Sequence, residues 1–175
     1  MVLAPGTLLL ELVLRAGEEV GCPHVTELTL HTPMTLPDAG SVQVQVTVTA
    51  DSGGCTATIH TRPDAGDPAW TLHATANLAG APAATVGTSD LAVWPPPGAQ
   101  PIAVEGFYQR LADAGYAYGP AFQGLRAVWQ DGQDVYAEVA LPEAQRADAA
   151  RYGLHPALLD AAVQAMAAGG LVGGE

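Results

Sequence analysis

Lysine is missing from this sequence of 175 residues, and six arginines carry all of its fixed positive side-chain charge. Set against 18 acidic residues they leave a formal net charge of −12, which argues against nucleic acid or an anionic membrane surface as a partner. Charged residues make up only 14% of the chain and hydrophobic residues 49%, so a packed core is within reach and general disorder is not expected. Cysteine is scarce as well. Cys22 and Cys55 have no metal-ligand spacing and no secretory context, so no metal site is expected and the thiols are read as reduced, in a cytoplasmic protein. No apolar run reaches the ~18 residues of a spanning helix, because Gly, Pro or a charge interrupts each one. Nor does the start read as a signal peptide: Met1-Val2-Leu3-Ala4-Pro5 has no positive region, and the apolar stretch after it carries Glu11 and Arg15.

What the sequence does contain is patterned. Residues 5–16 read as a helix, apolar nearly all round, with Pro5 near its start and Gly17 as its stop; such a helix suits wrapping by a sheet. Thr26 to His31 alternate, and Pro33 and Pro37 close that strand. Residues 41–49 alternate strictly, with Val42, Val44, Val46 and Val48 on one side and Gln43, Gln45, Thr47 and Thr49 on the other. An Asp-Ser-Gly-Gly turn leads to a strand over 55–62, and a Pro/Gly/Asp loop to another over 70–78. One helix followed by long antiparallel strands is a hot-dog pattern, a sheet curled round a helix. Residues 81–103, with Pro82, Pro95, Pro96, Pro97 and Pro101, read as a linker of polyproline character. Beyond it, 104–114 form a short amphipathic helix whose apolar positions are Phe107, Tyr108, Leu111 and Ala112. Strands over 125–130 and 135–141 follow, joined by Asp131-Gly132-Gln133. The division is therefore 1–80, 81–103 and 104–175.

The stretch from Gly153 to Met166 carries the chemistry. Pro156 suits a first helical turn, and Ala, Leu, Gln and Met favour a helix as far as Gly169-Gly170. Asp160 and Gln164 are four residues apart, share a face and can touch. Leu158, Leu159, Ala161, Ala162 and Val163 surround them, so the carboxyl is read as entering a largely buried helix, where it must be hydrogen-bonded or protonated. A carboxyl kept near neutrality is what a general acid needs. The plain alternative is an Asp in the first turn, stabilised by the helix dipole, with Gln164 merely solvated.

Three stretches resemble the dehydratase domain of modular type I polyketide synthases. They are Leu3-Ala4-Pro5-Gly6-Thr7 with Glu11-Leu12-Val13-Leu14-Arg15-Ala16-Gly17; Tyr118-Gly119-Pro120-Ala121-Phe122-Gln123-Gly124; and Leu154-His155-Pro156-Ala157-Leu158-Leu159-Asp160-Ala161-Ala162-Val163-Gln164. The resemblance implies an α+β double hot-dog and the elimination of water from a β-hydroxyacyl thioester held by an acyl carrier protein. By motif position Asp160 is the acid and Gln164 orients it, while Tyr118, Gly119 and Pro120, with Pro5 and Gly6 at the opening of the first helix, are the substrate-binding positions. No metal or organic cofactor is implied beyond the phosphopantetheine arm of the carrier. The implied partners are that carrier and the neighbouring synthase domains, with a homodimer of the intact domain.

The family's base belongs to a His-x-x-x-Gly-x-x-x-x-Pro motif. Pro5 matches its proline, which places the histidine four positions ahead of Met1. The chain is therefore expected to be incomplete at both termini, holding the acid without the base. Its own histidines are poor substitutes: His24 is read in a loop, His60 and His73 as outward strand positions, His31 as a bonded strand end and His155 as a helix cap. A non-catalytic structural remnant and a dehydratase-like isomerase or pyran-forming cyclase remain open beside the dehydratase reading. A thioesterase-like hot-dog fits the fold but not the Asp160–Gln164 pair.

Overall fold

A computed structural model of the chain describes residues 2–51, 53–64, 69–80 and 93–170. Two units emerge, Met1–Val86 and Gly87–Glu175. In the first, a short strand β1 (Val2–Leu3) leads to Pro5, whose extended backbone (φ −70°, ψ 152°) hands the chain into helix α1 (Gly6–Glu19). Strands β2 (His24–Leu30), β3 (Thr35–Leu36), β4 (Val42–Asp51), β5 (Gly54–Pro63) and β6 (Thr71–Ala79) follow. All pairings are antiparallel: β1 with β3, and a four-stranded sheet in the order β2-β6-β5-β4.

The alternation in β5 does what its sequence implies. Cys55, Ala57, Ile59 and Thr61 are buried while Thr56, Thr58 and His60 are half-buried. Leu9 and Val13 of α1 share one core with Ala57, Ile59, Ala74, Ala76 and Leu78. The alanines at 57, 74 and 76 are small enough to let the helix lie close to the sheet. β4 is an edge strand, as β2 is, and its valine face is only partly covered, with Val44 43% exposed.

Four details of the first unit differ from the sequence reading. Gly17 does not end α1; the helix runs on to Glu19, and Gly21 (φ +77°) makes the turn. Gly17 is needed for space instead, since a Cβ there would lie 2.4 Å from the Cys22 carbonyl oxygen. Gly17→Ala should therefore destabilise the first unit, although helix propensity alone would favour Ala by about 1 kcal/mol. A raised melting temperature would contradict the packing account. The second difference is that Cys22 and Cys55 are joined as a disulfide rather than left as separate thiols, with Cα atoms 6.5 Å apart. The turn at Gly21 brings Cys22 to the start of β5, a meeting that a separation of 33 residues does not announce.

The third concerns His73, which is 4% exposed rather than outward-facing. Ile59 pairs with Ala74 and His60 with Leu72, so His73 is the extra residue of a bulge, and the strand's alternation slips there. Its ring nitrogens meet Thr61 Oγ1 at 2.7 Å and the Thr32 carbonyl at 2.9 Å. The carbonyl can only accept, so Nδ1 donates to it, and in the neutral ring Nε2 accepts from the Thr61 hydroxyl. His24, read as a loop residue, begins β2, and His31 Nε2 lies 3.0 Å from Thr75 Oγ1.

In the second unit, residues 81–92 of the expected linker lie outside the described residues. The rest of that stretch is more structured than its prolines suggested. Residues Gln100–Ile102 form β7, paired with the β8 strand (Leu125–Asp131), and the Trp94 ring packs edge-on against Trp129 and Tyr136. Helix α2 (Phe107–Asp113) and a 3₁₀ turn (Pro120–Phe122) precede β8, which pairs in turn with β9 (Asp134–Val139). The sheet order is β7-β8-β9, and Gly132 (φ +58°) closes the hairpin between β8 and β9. After a short helix α3 (Glu143–Arg146), helix α4 (Pro156–Ala168) packs on β8 and β9. Its Ala165 shares one core with Phe107, Leu125 and Val128. α4 is less buried than the largely buried helix expected: Ala162, Val163 and Met166 are exposed.

Candidate active site

Two local devices start α4. Pro156 occupies the first turn, where its missing N–H costs nothing, and His155 Nδ1 accepts the Ala157 N–H at 3.2 Å. The His155 ring, held edge-on against Tyr152, is thereby used as a cap. Asp160 is the fifth residue of the helix, past the first turn, which contains no acidic residue. The dipole alternative needs a carboxylate among the unsatisfied N–H groups of that turn, so it does not describe this residue.

Gln164 is 5% exposed, not solvated. Its Nε2 donates to Asp160 Oδ2 at 2.9 Å and to the Phe122 carbonyl at 3.1 Å, and its Oε1 accepts from the Tyr108 hydroxyl at 2.9 Å. Both amide hydrogens and the oxygen are used, which is what a buried amide requires. Asp160 itself is half-buried, in contact with Gln164 on the side toward the core. The turn before β8 supplies the rest of the surroundings. Gln123 Nε2 donates to the Tyr118 carbonyl at 2.8 Å, and the Tyr118 ring meets the Tyr108 ring edge-on with centroids 6.3 Å apart.

Burial pushes the Tyr118 hydroxyl above the usual tyrosine pKa, and the nearby Asp160 carboxylate adds to this, with the Gln164 amide opposing it. Tyr108 is raised chiefly by burial too, with the Leu125 N–H opposing it. A phenol raised in the folded state contributes stability that is intact below the unfolded value, 10.0, and lost as pH rises through the folded value. Phenolate absorbance should show this directly. The difference titration between the wild type and Tyr118→Phe should have its midpoint above 10.0; a midpoint at or below that value would contradict the buried setting.

The structure thus brings Asp160, Gln164 and Tyr118 together. Pro120 is the first residue of the 3₁₀ turn, while Gly119 is exposed and extended (φ −66°, ψ 162°), a conformation open to any residue. Pro5 and Gly6 belong to the first unit, where Gly6 leaves space for Leu30: a Cβ would lie 2.9 Å from its Cδ1. Tyr108 escaped the sequence reading, which took it as an apolar position of α2. A phenol fills an apolar position and carries a hydroxyl as well, and only the fold shows where that hydroxyl goes.

Two hot-dog units, each a helix against an antiparallel sheet, with an aspartate–glutamine pair beside a tyrosine turn, define the class. Family models for the polyketide synthase dehydratase domain and the polyketide synthase dehydratase N-terminal domain match residues 1–62 and 86–171. The chain belongs to the polyketide synthase dehydratase family, and its fold is the double hot-dog. It is 54% identical to polyketide synthase GfsA of Streptomyces halstedii over 98% of this chain and 2% of that protein. It is 52% identical to pikromycin polyketide synthase component PikAII of Streptomyces venezuelae over 96% of this chain and 5% of that one. Among solved structures, the dehydratase domain from the terminal module of the rifamycin polyketide synthase matches with TM-score 0.88 and 43% identity, over 97% of this chain and 64% of that one. The bifunctional dehydratase-cyclase domain of ambruticin biosynthesis matches with TM-score 0.86 and 47% identity, over 97% and 60%. The chain therefore spans a small part of these synthases and less than two thirds of the solved chains.

Proposed function

We propose that this chain supplies the acid side of a dehydratase site acting on a β-hydroxyacyl thioester carried on the phosphopantetheine arm of an acyl carrier protein. The observation that carries the reading is the Gln164–Asp160 hydrogen bond beside Tyr118, in a chain of the dehydratase family. Hydroxide leaves poorly unless protonated, and an α-proton leaves only to a base. In the proposed step a histidine takes the α-proton and the C–H electrons form the Cα=Cβ bond. The Cβ–O bond breaks, and Asp160 gives its proton to the departing oxygen, which leaves as water. Solvent then returns the proton from histidine to Asp160. Gln164 orients the carboxyl, Tyr118 faces the substrate hydroxyl, and Gly119 and Pro120 carry the turn that presents it.

Pro5 and Gly6 are read as further substrate-binding positions, in the first unit. Neither His73, bonded through both ring nitrogens, nor His155, held as a cap, is assigned that role. The reading asks for no metal or further cofactor. It takes the carrier protein and neighbouring synthase domains as partners, in a cytoplasmic, homodimeric synthase. The test uses this sequence extended to the span of the solved dehydratases, incubated with a β-hydroxyacyl pantetheine thioester. Loss of water with appearance of the conjugated enoyl chromophore is expected, and unchanged substrate would reject the reading. The likeness to a solved dehydratase-cyclase favours one second reading, ring closure after dehydration. With a distal hydroxyl in the substrate, it would show as a dehydrated product lacking that chromophore.

A further inference from the structure

We infer that Tyr108 is a positioning residue of the site: its hydroxyl fixes the Gln164 amide so that Nε2, and not Oε1, faces the Asp160 carboxyl. The inference rests on the reading of Asp160 as the acid. It comes from counting hydrogens. The Leu125 N–H donates to the Tyr108 hydroxyl oxygen at 2.9 Å, where the β8–β9 register shifts between Leu125 and Ala127. A backbone N–H can only donate, so it occupies an oxygen lone pair and leaves the single phenol proton for another acceptor. That acceptor is Gln164 Oε1, 2.9 Å away.

With Oε1 held there, both Nε2 hydrogens face acceptors, the Phe122 carbonyl and Asp160 Oδ2. A flipped amide would set Oε1 against the Phe122 carbonyl, which can only accept, and against the Asp160 carboxyl. It would also turn an N–H toward the Tyr108 hydroxyl, whose proton would then lack its acceptor. Whenever Asp160 is ionised, three acceptors would meet with no proton between them. The bonds therefore run with one polarity, from the Leu125 N–H through the Tyr108 hydroxyl and the Gln164 amide to the Asp160 carboxyl. Tyr108 also remains a donor across the working range, since burial raises its pKa. Helix α2 holds the ring in place through its neighbour Phe107, which is buried in the core with Leu125 and Ala165 and meets the Tyr108 ring edge-on at 5.2 Å. A site built on a packed helix and a closed set of hydrogen bonds keeps its reacting group in one geometry.

The test compares Tyr108→Phe, Gln164→Leu, the double variant and Asp160→Asn in the sequence extended to the span of the solved dehydratases. Tyr108→Phe keeps the ring and its packing but leaves the Leu125 N–H and Gln164 Oε1 without this partner, so the protein should stay folded with a melting temperature lowered by several degrees. Its kcat should fall about tenfold, the equivalent of one lost hydrogen bond, with KM unchanged. If Tyr108 acts through Gln164, the double variant should be no slower than Gln164→Leu alone. Wild-type kcat in Tyr108→Phe while Asp160→Asn is inactive would overturn the inference and leave the acid assignment standing, as would strictly additive losses. An active Asp160→Asn would overturn both.

Discussion

Asp160→Asn should lower dehydration at least ~10²-fold, the usual contribution of a positioned general acid, while the protein melts as before. Asparagine has the shape of aspartate, and its side-chain oxygen can still accept the Gln164 N–H that Asp160 Oδ2 accepts at 2.9 Å. Packing on α4 is therefore kept, and only the transferable proton is lost. A loss of that size corresponds to about 2.7 kcal/mol of transition-state stabilisation, well above the change that a surface or half-buried Asp-to-Asn exchange makes to stability. Steady-state rates with a β-hydroxyacyl thioester and a thermal melt of the same preparation separate the two effects. Turnover within a factor of two or so of wild type would remove Asp160 from the mechanism.

Ile59→Ala should be the most damaging of the core changes. Ile59 is fully buried at the centre of β5, flanked by Val46 on β4 and Ala74 on β6, in the core it shares with Leu9 and Val13 of α1. The small neighbours cannot expand to fill the space, so the lost burial and the remaining cavity should together cost about 3 kcal/mol. For a unit of this size that lowers the melting temperature by on the order of 10 °C or more. Ile59→Val removes one methylene and should cost about 1 kcal/mol. If the two variants melt together, the helix and sheet are not packed against each other as described.

What was legible in the sequence was whatever is local. The β5 alternation, the β8–β9 hairpin with its glycine and the Pro156 start of α4 depend on neighbours within a few residues, and all stand in the structure. The Asp160–Gln164 contact is an i, i+4 pair on one helix face, so a periodic reading reaches it. What was not legible depends on distant chain. His73 turns inward because a bulge against β5 shifts its strand, and Gly17 is glycine because the Cys22 carbonyl comes back against the helix. Tyr108 belongs to the same group: its hydroxyl meets partners 17 and 56 residues away. The exposed face of α4 was misread because an apolar composition does not say which side is covered.

The most direct test of the central claim, that Asp160 protonates the departing hydroxyl, is a crystal structure. It would hold the Asp160→Asn protein, extended to the span of the solved dehydratases, with an unreacted β-hydroxyacyl pantetheine thioester bound. The account expects the substrate β-hydroxyl within hydrogen-bonding distance of the residue-160 side chain, on the side away from Gln164 and facing Tyr118. A β-hydroxyl bound elsewhere, with residue 160 still tied to Gln164 and out of reach of the substrate, would contradict it.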